Sequence, residues 1–284
     1  GLFPEANLQD SLPYGMNRAK LAWYNIEPVL QDKSNPSNPL KGNLVALSDP
    51  RVRAVYTNEL FPQRTTNITD VLTTTFDLAY YPTDIGPYNF TSDPANIDAF
   101  GKLRNPKQRW GGIMRAIDQT DFETANIEYM EFWVQDPFIK DPESSGGKLY
   151  TSLGNVSEDI LKDGKRFYEN GLNSPSQPAA VDSSSVWGTT PVNPIQVTQA
   201  FSNDPNDRPY QDVGFDGIDN VNERMKRSDY LNRLATSFGT SSAIYQNALN
   251  DPSHDDYVWY RDERFNAAGT GILGRYKDYN NTEG

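Results

Sequence analysis

The 284-residue chain carries 26 Lys and Arg against 38 Asp and Glu, a net charge of −12, which argues against a phosphate-neutralising nucleic-acid surface and against docking on anionic lipid. It has no cysteine, so thiol nucleophiles, disulfides and Cys-ligated zinc are excluded. With 20 Gly, 20 Pro and a mean hydropathy of −0.71 it reads as loop-rich, without the roughly 20 consecutive apolar residues of a membrane helix or enough alternating segments for a lipid-facing barrel.

In chain order, Gly1–Tyr14 is irregular, with Pro4 and Pro13 blocking regular structure. Lys20–Ile26 is predicted as a short aromatic strand stopped by Pro28, and Gln31–Gly42 as an exposed loop. Ser48-Asp49-Pro50 looks like a cap followed by a first-turn proline, which predicts a helix over Pro50–Leu60 with Val52, Val55, Tyr56 and Leu60 on one stripe. Val71–Tyr81 is predicted as a strand whose Phe76, Leu78 and Tyr80 share a face, and Tyr88–Phe90 as a short edge strand. Trp110–Ile117 is another expected strand, in which Gly111-Gly112 marks a bulge or a close backbone approach.

The most regular pattern follows. Asn126–Gln135 alternates as a strand should, a polar turn holds Gly146-Gly147, and Lys148–Gly154 reads as a second strand, together a core hairpin. Glu128, Met130, Phe132 and Val134 would face inward; Tyr129, Glu131 and Trp133 would face outward. Two rings flanking a carboxylate make a sugar-binding platform. The same residues also fit plain packing under a loop, with Glu131 paired to Arg109 or Arg115. Ser157 is expected to start a helix, Ser174–Pro194 is a Ser/Pro/Thr-rich linker, Asn222–Phe238 is a helix with Met225, Tyr230, Leu231, Leu234 and Phe238 in step, and Ser241–Leu249 is a shorter one. Asp255–Phe265 fits either strand or helix.

Three carboxylates in the DVGFDGIDN run, Asp212, Asp216 and Asp219, surround two glycines that would let the backbone gather oxygens for Ca²⁺. Asx-turns and a helix cap account for the same residues without metal. His254, the only histidine, stands in a polar PSHDD run expected to be a solvated turn. There is no G-x-S-x-G elbow, phosphate loop or dinucleotide fingerprint. Glu128, Glu131 and Asp136 are the candidates if a carboxylate pair worked on glycosides, but nothing singles one out, and the chain is read as non-enzymatic.

Several segments resemble the SprA/Sov family: WGGIMR at Trp110–Arg115, NIEYMEFWVQDPF at Asn126–Phe138, GNVSEDILKDGKRFYENGL at Gly154–Leu172, AKLAWYNIEP at Ala19–Pro28, DLAYYPTDIGPYNF at Asp77–Phe90 and RYKDYNNTEG at Arg275–Gly284. That resemblance implies the outer-membrane translocon of the Bacteroidetes type IX secretion and gliding-motility system, with the remainder of the translocon, its partner proteins and secreted cargo as partners. It implies no catalytic residues. No signal peptide opens the chain, and an exported parent would have shed one. The architecture expected is mainly β: a jelly-roll-like antiparallel β-sandwich over 1–173, a linker over 174–194 and a mostly helical segment over 195–284 packing on the sandwich. Two roles follow. One is a non-catalytic extramembrane domain of the translocon, a structural cap or docking surface in the cell envelope, with Trp110, Arg115, Tyr129, Glu131 and Trp133 as binding residues. The other is a carbohydrate-binding jelly roll using the exposed aromatics and the acidic loop, with or without calcium.

Overall fold

The structure, a computed structural model, describes residues 11–64, 71–114, 121–154, 159, 161–165, 180–193, 206–207, 210 and 213–279. In chain order the first elements are α1 (Ser11–Tyr14), β1 (Ala19–Tyr24), α2 (Pro28–Gln31), α3 (Leu44–Leu47), β2 (Val55–Tyr56), α4 (Thr57–Leu60), β3 (Leu72–Thr73) and β4 (Asp77–Ile85). After these come β5 (Val181–Asp182), β6 (Thr190–Pro191), α5 (Asn220–Lys226), α6 (Ser228–Phe238), α7 (Ala243–Asn250), α8 (Glu263–Ala267) and α9 (Ile272–Tyr276).

The strands form three two-stranded antiparallel sheets, β1–β4, β2–β3 and β5–β6. The fold among the described residues is therefore mixed α and β, and the expected jelly-roll sandwich is not formed there. The reason lies in where the core residues come from. Tyr88, Phe90, Ile97 and Leu103 are buried, yet they reach the interior from turns and single bridges rather than from an alternating strand. A chain this rich in Gly and Pro folds through turns because each proline removes a ladder donor.

The β1–β4 ribbon is the longest pairing. Ala22 lies opposite Ala79 and Trp23 opposite Leu78, and the register slips between Ala19 and Lys20, where Pro82 stands in the partner strand. Phe76, Leu78 and Tyr80 do share a face, but it is the half-open one. Ala22, Tyr24 and Ile26 point the other way, into a core completed by Leu30, Leu40, Ile272 and Tyr276. Gly111 fits the expected close approach: a Cβ there would stand 3.0 Å from Leu21 and 3.1 Å from the Tyr80 ring. Beyond the parallel bridge of Trp110 to Arg18, the strand expected over Trp110–Ile117 is absent through residue 114, and its remainder lies outside the described residues.

Two expected helices take other forms. Pro50–Leu60 is divided into a 3-10 turn at Pro50–Val52, β2 and α4. Asp49 caps the turn through Arg51 N–H (3.0 Å), and β-branched Val55 then pairs with Thr73 instead of continuing a helix. Asn222–Phe238 is two helices, α5 and α6, separated at Arg227. Tyr230, Leu231 and Leu234 are buried along α6 as the stripe predicts, whereas Met225 is exposed. The helix over Ser241–Leu249 is present as α7, capped by Ser242. Of the stretch over Asp255–Phe265, the part before α8 carries neither helix nor strand. Tyr88–Phe90 is a turn rather than an edge strand, with Tyr88 at φ 61°. The helix expected from Ser157 is not formed where it is described: residues 161–165 are a turn and bends, with Lys162 at φ 57° and Gly164 at φ 75°, and residues 157, 158 and 160 lie outside the described residues.

A second core gathers residues from the middle of the chain and from helices α6 and α7. Tyr88, Phe90, Ile97, Trp187, Leu234 and Ile244 meet in one cluster. Trp187 stands within the stretch expected as a linker and is 0% exposed. Its ring meets Tyr88 edge-on at 5.6 Å and Phe90 at 6.4 Å.

The largest departure is the hairpin expected over Asn126–Gly154. Residues 121–154 carry turns but no strand or helix. Met130, Phe132 and Val134, assigned to the core by alternation, are exposed, as are Leu149, Tyr150 and Leu153. An isolated two-stranded hairpin is marginal in water, and no third strand or helix among the described residues covers this one. Tethers to the body include Gln135 donating to the Pro50 carbonyl and Lys140 paired with Asp49 at 3.1 Å.

Candidate functional site

Two features stand out: a buried cluster of carboxylates and the exposed arm of residues 121–154. The cluster is built from the loop Val213–Asp219, helix α5 and the turn Asp251–Asp256. Gly214 (φ 53°) and Gly217 (φ 65°) take the left-handed backbone that folds the loop inward. At Gly214 the glycine is also required by space, because a Cβ would fall 1.9 Å from Asp255 Oδ2. At Gly188 the β5–β6 turn approaches equally closely, since a Cβ there would fall 2.1 Å from the Asp216 carbonyl oxygen.

Asp219 caps α5 by accepting from Asn222 N–H at 2.9 Å. Glu223 and Arg227, each four residues further on, therefore turn toward the same side. Glu223 is 1% exposed and accepts from Ser253 N–H at 3.2 Å. Arg227 sits between the two helices at φ −101°, ψ 18°. From there its guanidinium donates to Asp216 at 3.2 Å and to the Trp187 carbonyl, and it lies 4.8 Å from the centre of the Phe90 ring. Asp216 also accepts from Ile218 N–H (3.0 Å) and the Ser253 hydroxyl (3.3 Å). The Tyr88 hydroxyl accepts from Asp216 N–H at 3.1 Å and is hydrogen-bonded to Asp255. Tyr88 holds the left-handed backbone that a bulky residue rarely adopts, and strain of this kind persists where surrounding contacts enforce it.

Carboxylate oxygens of Asp216, Glu223 and Asp255 lie within 4.8 Å of one another, as do those of Asp251, Asp255 and Asp256. Glu223 Oε1 and Asp255 Oδ2 are buried without a hydrogen-bond partner among the described residues. Burial, reinforced by the charge of Asp216, pushes Glu223 up to about 8. Asp216 rises to about 6 through burial, with Arg227 opposing the shift. Burial and then Asp251 push Asp256 to about 7, although Asn220 donates to it at 2.9 Å. Asp255 is raised well above the ordinary carboxylate range by burial and the charges of Asp216 and Glu223. Such a group either shares protons or holds a hard cation, since each unpaired buried carboxylate is otherwise costly.

The residues expected to act from sequence are divided between these two features and the body of the fold. Asp216 is in the cluster, Asp219 is used by the helix cap, and Asp212 lies outside the described residues. The oxygens that meet Asp216 come instead from Glu223 and Asp255. Trp110 is half-buried, edge-on to Tyr14 at 5.4 Å, with the Arg18 guanidinium 5.8 Å from its ring. Arg115 lies outside the described residues. Tyr129 and Trp133 are 81% and 71% exposed, and Glu131 between them is exposed too. Arg109, offered as the partner of Glu131, turns inward and donates to Asn17 Oδ1 (2.7 Å) and the Arg104 carbonyl (2.9 Å). His254 is not a solvated turn residue: its Nε2 meets the Tyr230 hydroxyl at 2.9 Å, and burial drives it down to about 3.

Sequence reasoning noted Glu223 only as the acid that follows the loop, outside an EF-hand spacing, and missed Arg227, Asp255 and Tyr88. The four-residue spacing Asp219–Glu223–Arg227 was the available signal for Glu223 and Arg227. Asp255 and Tyr88 arrive from distant turns. Comparison with known proteins gives one family: residues 229–284 match the model for SprA_N, described as a motility related/secretion protein. The match covers α6 through α9 and takes in Asp251, Asp255 and Asp256. No curated protein matches the chain.

Proposed function

We propose that this chain, a member of the SprA/Sov family of motility- and secretion-related proteins, is a non-catalytic extramembrane domain of an outer-membrane protein translocon and serves it as a docking surface. The observation that carries the reading is the arm of residues 121–154. Tyr129, Met130, Phe132, Trp133 and Val134 are exposed in one extended run, and contiguous apolar exposure on this scale marks an interaction site in a folded protein. An extended segment with alternating side chains suits strand addition to a partner sheet, where the backbone supplies affinity and alternate side chains supply specificity. Aromatic anchors of this kind carry most of the binding energy in protein interfaces. No helix among the described residues is long and apolar enough to cross a membrane, and the net charge of −12 favours a solvated position.

The test is a full-length parent carrying Phe132→Ser and Trp133→Ser. Both side chains are exposed, so the variant should reach the outer membrane in normal amount while cargo secretion or gliding falls about tenfold or more, in keeping with the loss of two interface anchors. Normal secretion with normal insertion would refute the docking role. A carbohydrate platform is the second reading, favoured by the open ring faces of Tyr129 and Trp133 on either side of Glu131. Reproducible glycan-array binding lost in Trp133→Ala would favour it.

A further inference from the structure

We propose that Asp216, Glu223 and Asp255 form a calcium site that staples the Val213–Asp219 loop, helix α5 and the Asp251–Asp256 turn together. The acidity of the cluster alone would not require this. The requirement comes from two oxygens that nothing among the described residues satisfies. Glu223 and Asp255 are each 1% exposed, and Glu223 Oε1 and Asp255 Oδ2 have no donor, while carboxylate oxygens of all three residues lie within 4.8 Å. Elsewhere the cluster is well supplied: Ile218 N–H, Ser253 N–H, the Ser253 hydroxyl and Arg227 all donate into it. Two carboxylate oxygens left buried and bare amid these donors call for a positive partner.

Charge points to a divalent ion. Asp216, Glu223 and Asp255 with the Arg227 guanidinium carry two net negative charges, and Asp251 and Asp256 add to the field beside Asp255, so the site favours a divalent over a monovalent ion. Oxygen-only ligation selects a hard cation. Calcium accepts an irregular set of carboxylates, whereas magnesium holds an octahedral shell and keeps several waters, for which a site lined by buried side chains offers little room. The raised proton affinities of Glu223 and Asp255 describe the same oxygens competing for protons when calcium is absent. Gly214 fits this role, because any side chain there would displace the Asp255 carboxylate.

The experiment uses the purified 284-residue chain, stripped with EDTA and dialysed at pH 7.5. Calcium at a hundredfold excess over its Kd should raise Tm by about 5 °C, with magnesium far less effective. Glu223→Gln and Asp255→Asn should abolish the shift, and Glu263→Gln, on the exposed face of α8, should retain it. Terbium should bind one ion per chain with luminescence sensitised through Tyr88 and Trp187, and calcium should displace it. The terbium measurement on the unsubstituted chain stands even if a variant fails to fold. A melt indifferent to calcium and EDTA, a calcium shift that survives both substitutions, an equal response to magnesium, or terbium emission that calcium does not displace would each overturn the proposal. So would a Glu223→Gln variant that melts higher than the parent chain in saturating calcium, which would identify the cluster as a proton-sharing one.

Discussion

Replacing Trp187 by alanine tests whether the Ser-rich stretch around it is a spacer or a structural part of the core. Trp187 is 0% exposed, touches Tyr88 and Phe90 through its ring and receives the Arg227 side chain at its carbonyl. Truncating a fully buried tryptophan removes its transfer free energy and leaves a cavity, for a loss of about 3–5 kcal/mol. At about 2 °C per kcal/mol for a chain of this size, Tm should fall by about 6–10 °C. Val186→Ala is the control, because Val186 is exposed and its loss should stay within about 0.5 kcal/mol. Trp187→Phe should lie between them and close to the parent, since the indole N–H it removes has no hydrogen-bond partner and its absence relieves a penalty that offsets part of the lost area. Thermal and urea melts of the three variants measure this. A Trp187→Ala shift no larger than that of Val186→Ala would mean that the segment does not belong to the core.

The C-terminal segment should be anchored through Tyr276. Its ring stacks on Tyr24 at 4.3 Å and Tyr260 at 4.7 Å, and its hydroxyl accepts from Glu27 N–H at 3.0 Å. Tyr276→Phe should cost about 1–2 kcal/mol by leaving that N–H unpaired and Tyr276→Ala about 3–5 kcal/mol; equal losses in urea melts would contradict the stacking argument. Asp84 gives a pH dependence. Burial pushes its carboxyl up, but Lys102 at 2.6 Å and Lys277 at 2.5 Å outweigh it and leave the group below its ordinary value. A carboxyl depressed by folding contributes stability above the unfolded value of about 4 and loses it as pH falls through the folded one. Asp84→Asn should therefore be less stable than the parent at pH 6 by about 1 kcal/mol, both lysines being partly exposed. That gap should narrow as pH falls below about 4 and close once the folded carboxyl is protonated, and a gap independent of pH would assign the loss to packing.

What was legible in the sequence followed from local rules. The Lys20–Ile26 strand, the stripe of Tyr230, Leu231 and Leu234 and the close approach at Gly111 each rest on a period of two, a period near 3.6, or an absent Cβ. Val52 and Val55 misled because their spacing fits a helical stripe while their branching favours the pairing that Val55 makes with Thr73. The acidic loop was recognised as chemically unusual, and Asp216 was identified in it. Two of its companions could not be found locally: Asp255 is 39 residues on, and Tyr88 reaches Asp216 across 128 positions. Nothing in the spacing of PSHDD distinguishes a solvated turn from one folded over a core, so His254 and Asp255 were invisible until the turn was placed.

The arm of residues 121–154 is the instructive failure, because its local signal was the strongest in the chain. Alternation predicts a strand only when something covers one face. Here Met130, Phe132 and Val134 on one side and Tyr129 and Trp133 on the other are all exposed, so the pattern that built the prediction has no recipient among the described residues. Apolar exposure of this order costs free energy at about 25 cal/mol for each Å² left in water, and no local fold recovers it. The two cores meanwhile close without the arm: one draws on Tyr88, Trp187 and Leu234, the other on Tyr24, Leu40 and Tyr276. A segment that the fold can do without, yet that carries the most strand-like pattern in the chain, fits a partner outside it. The docking role makes the alternation meaningful again, since strand addition would bury one set of side chains on the partner and satisfy the backbone at the same time. On that view the alternation would serve a surface outside this chain, and the loss of secretion in Phe132→Ser with Trp133→Ser is what would support it.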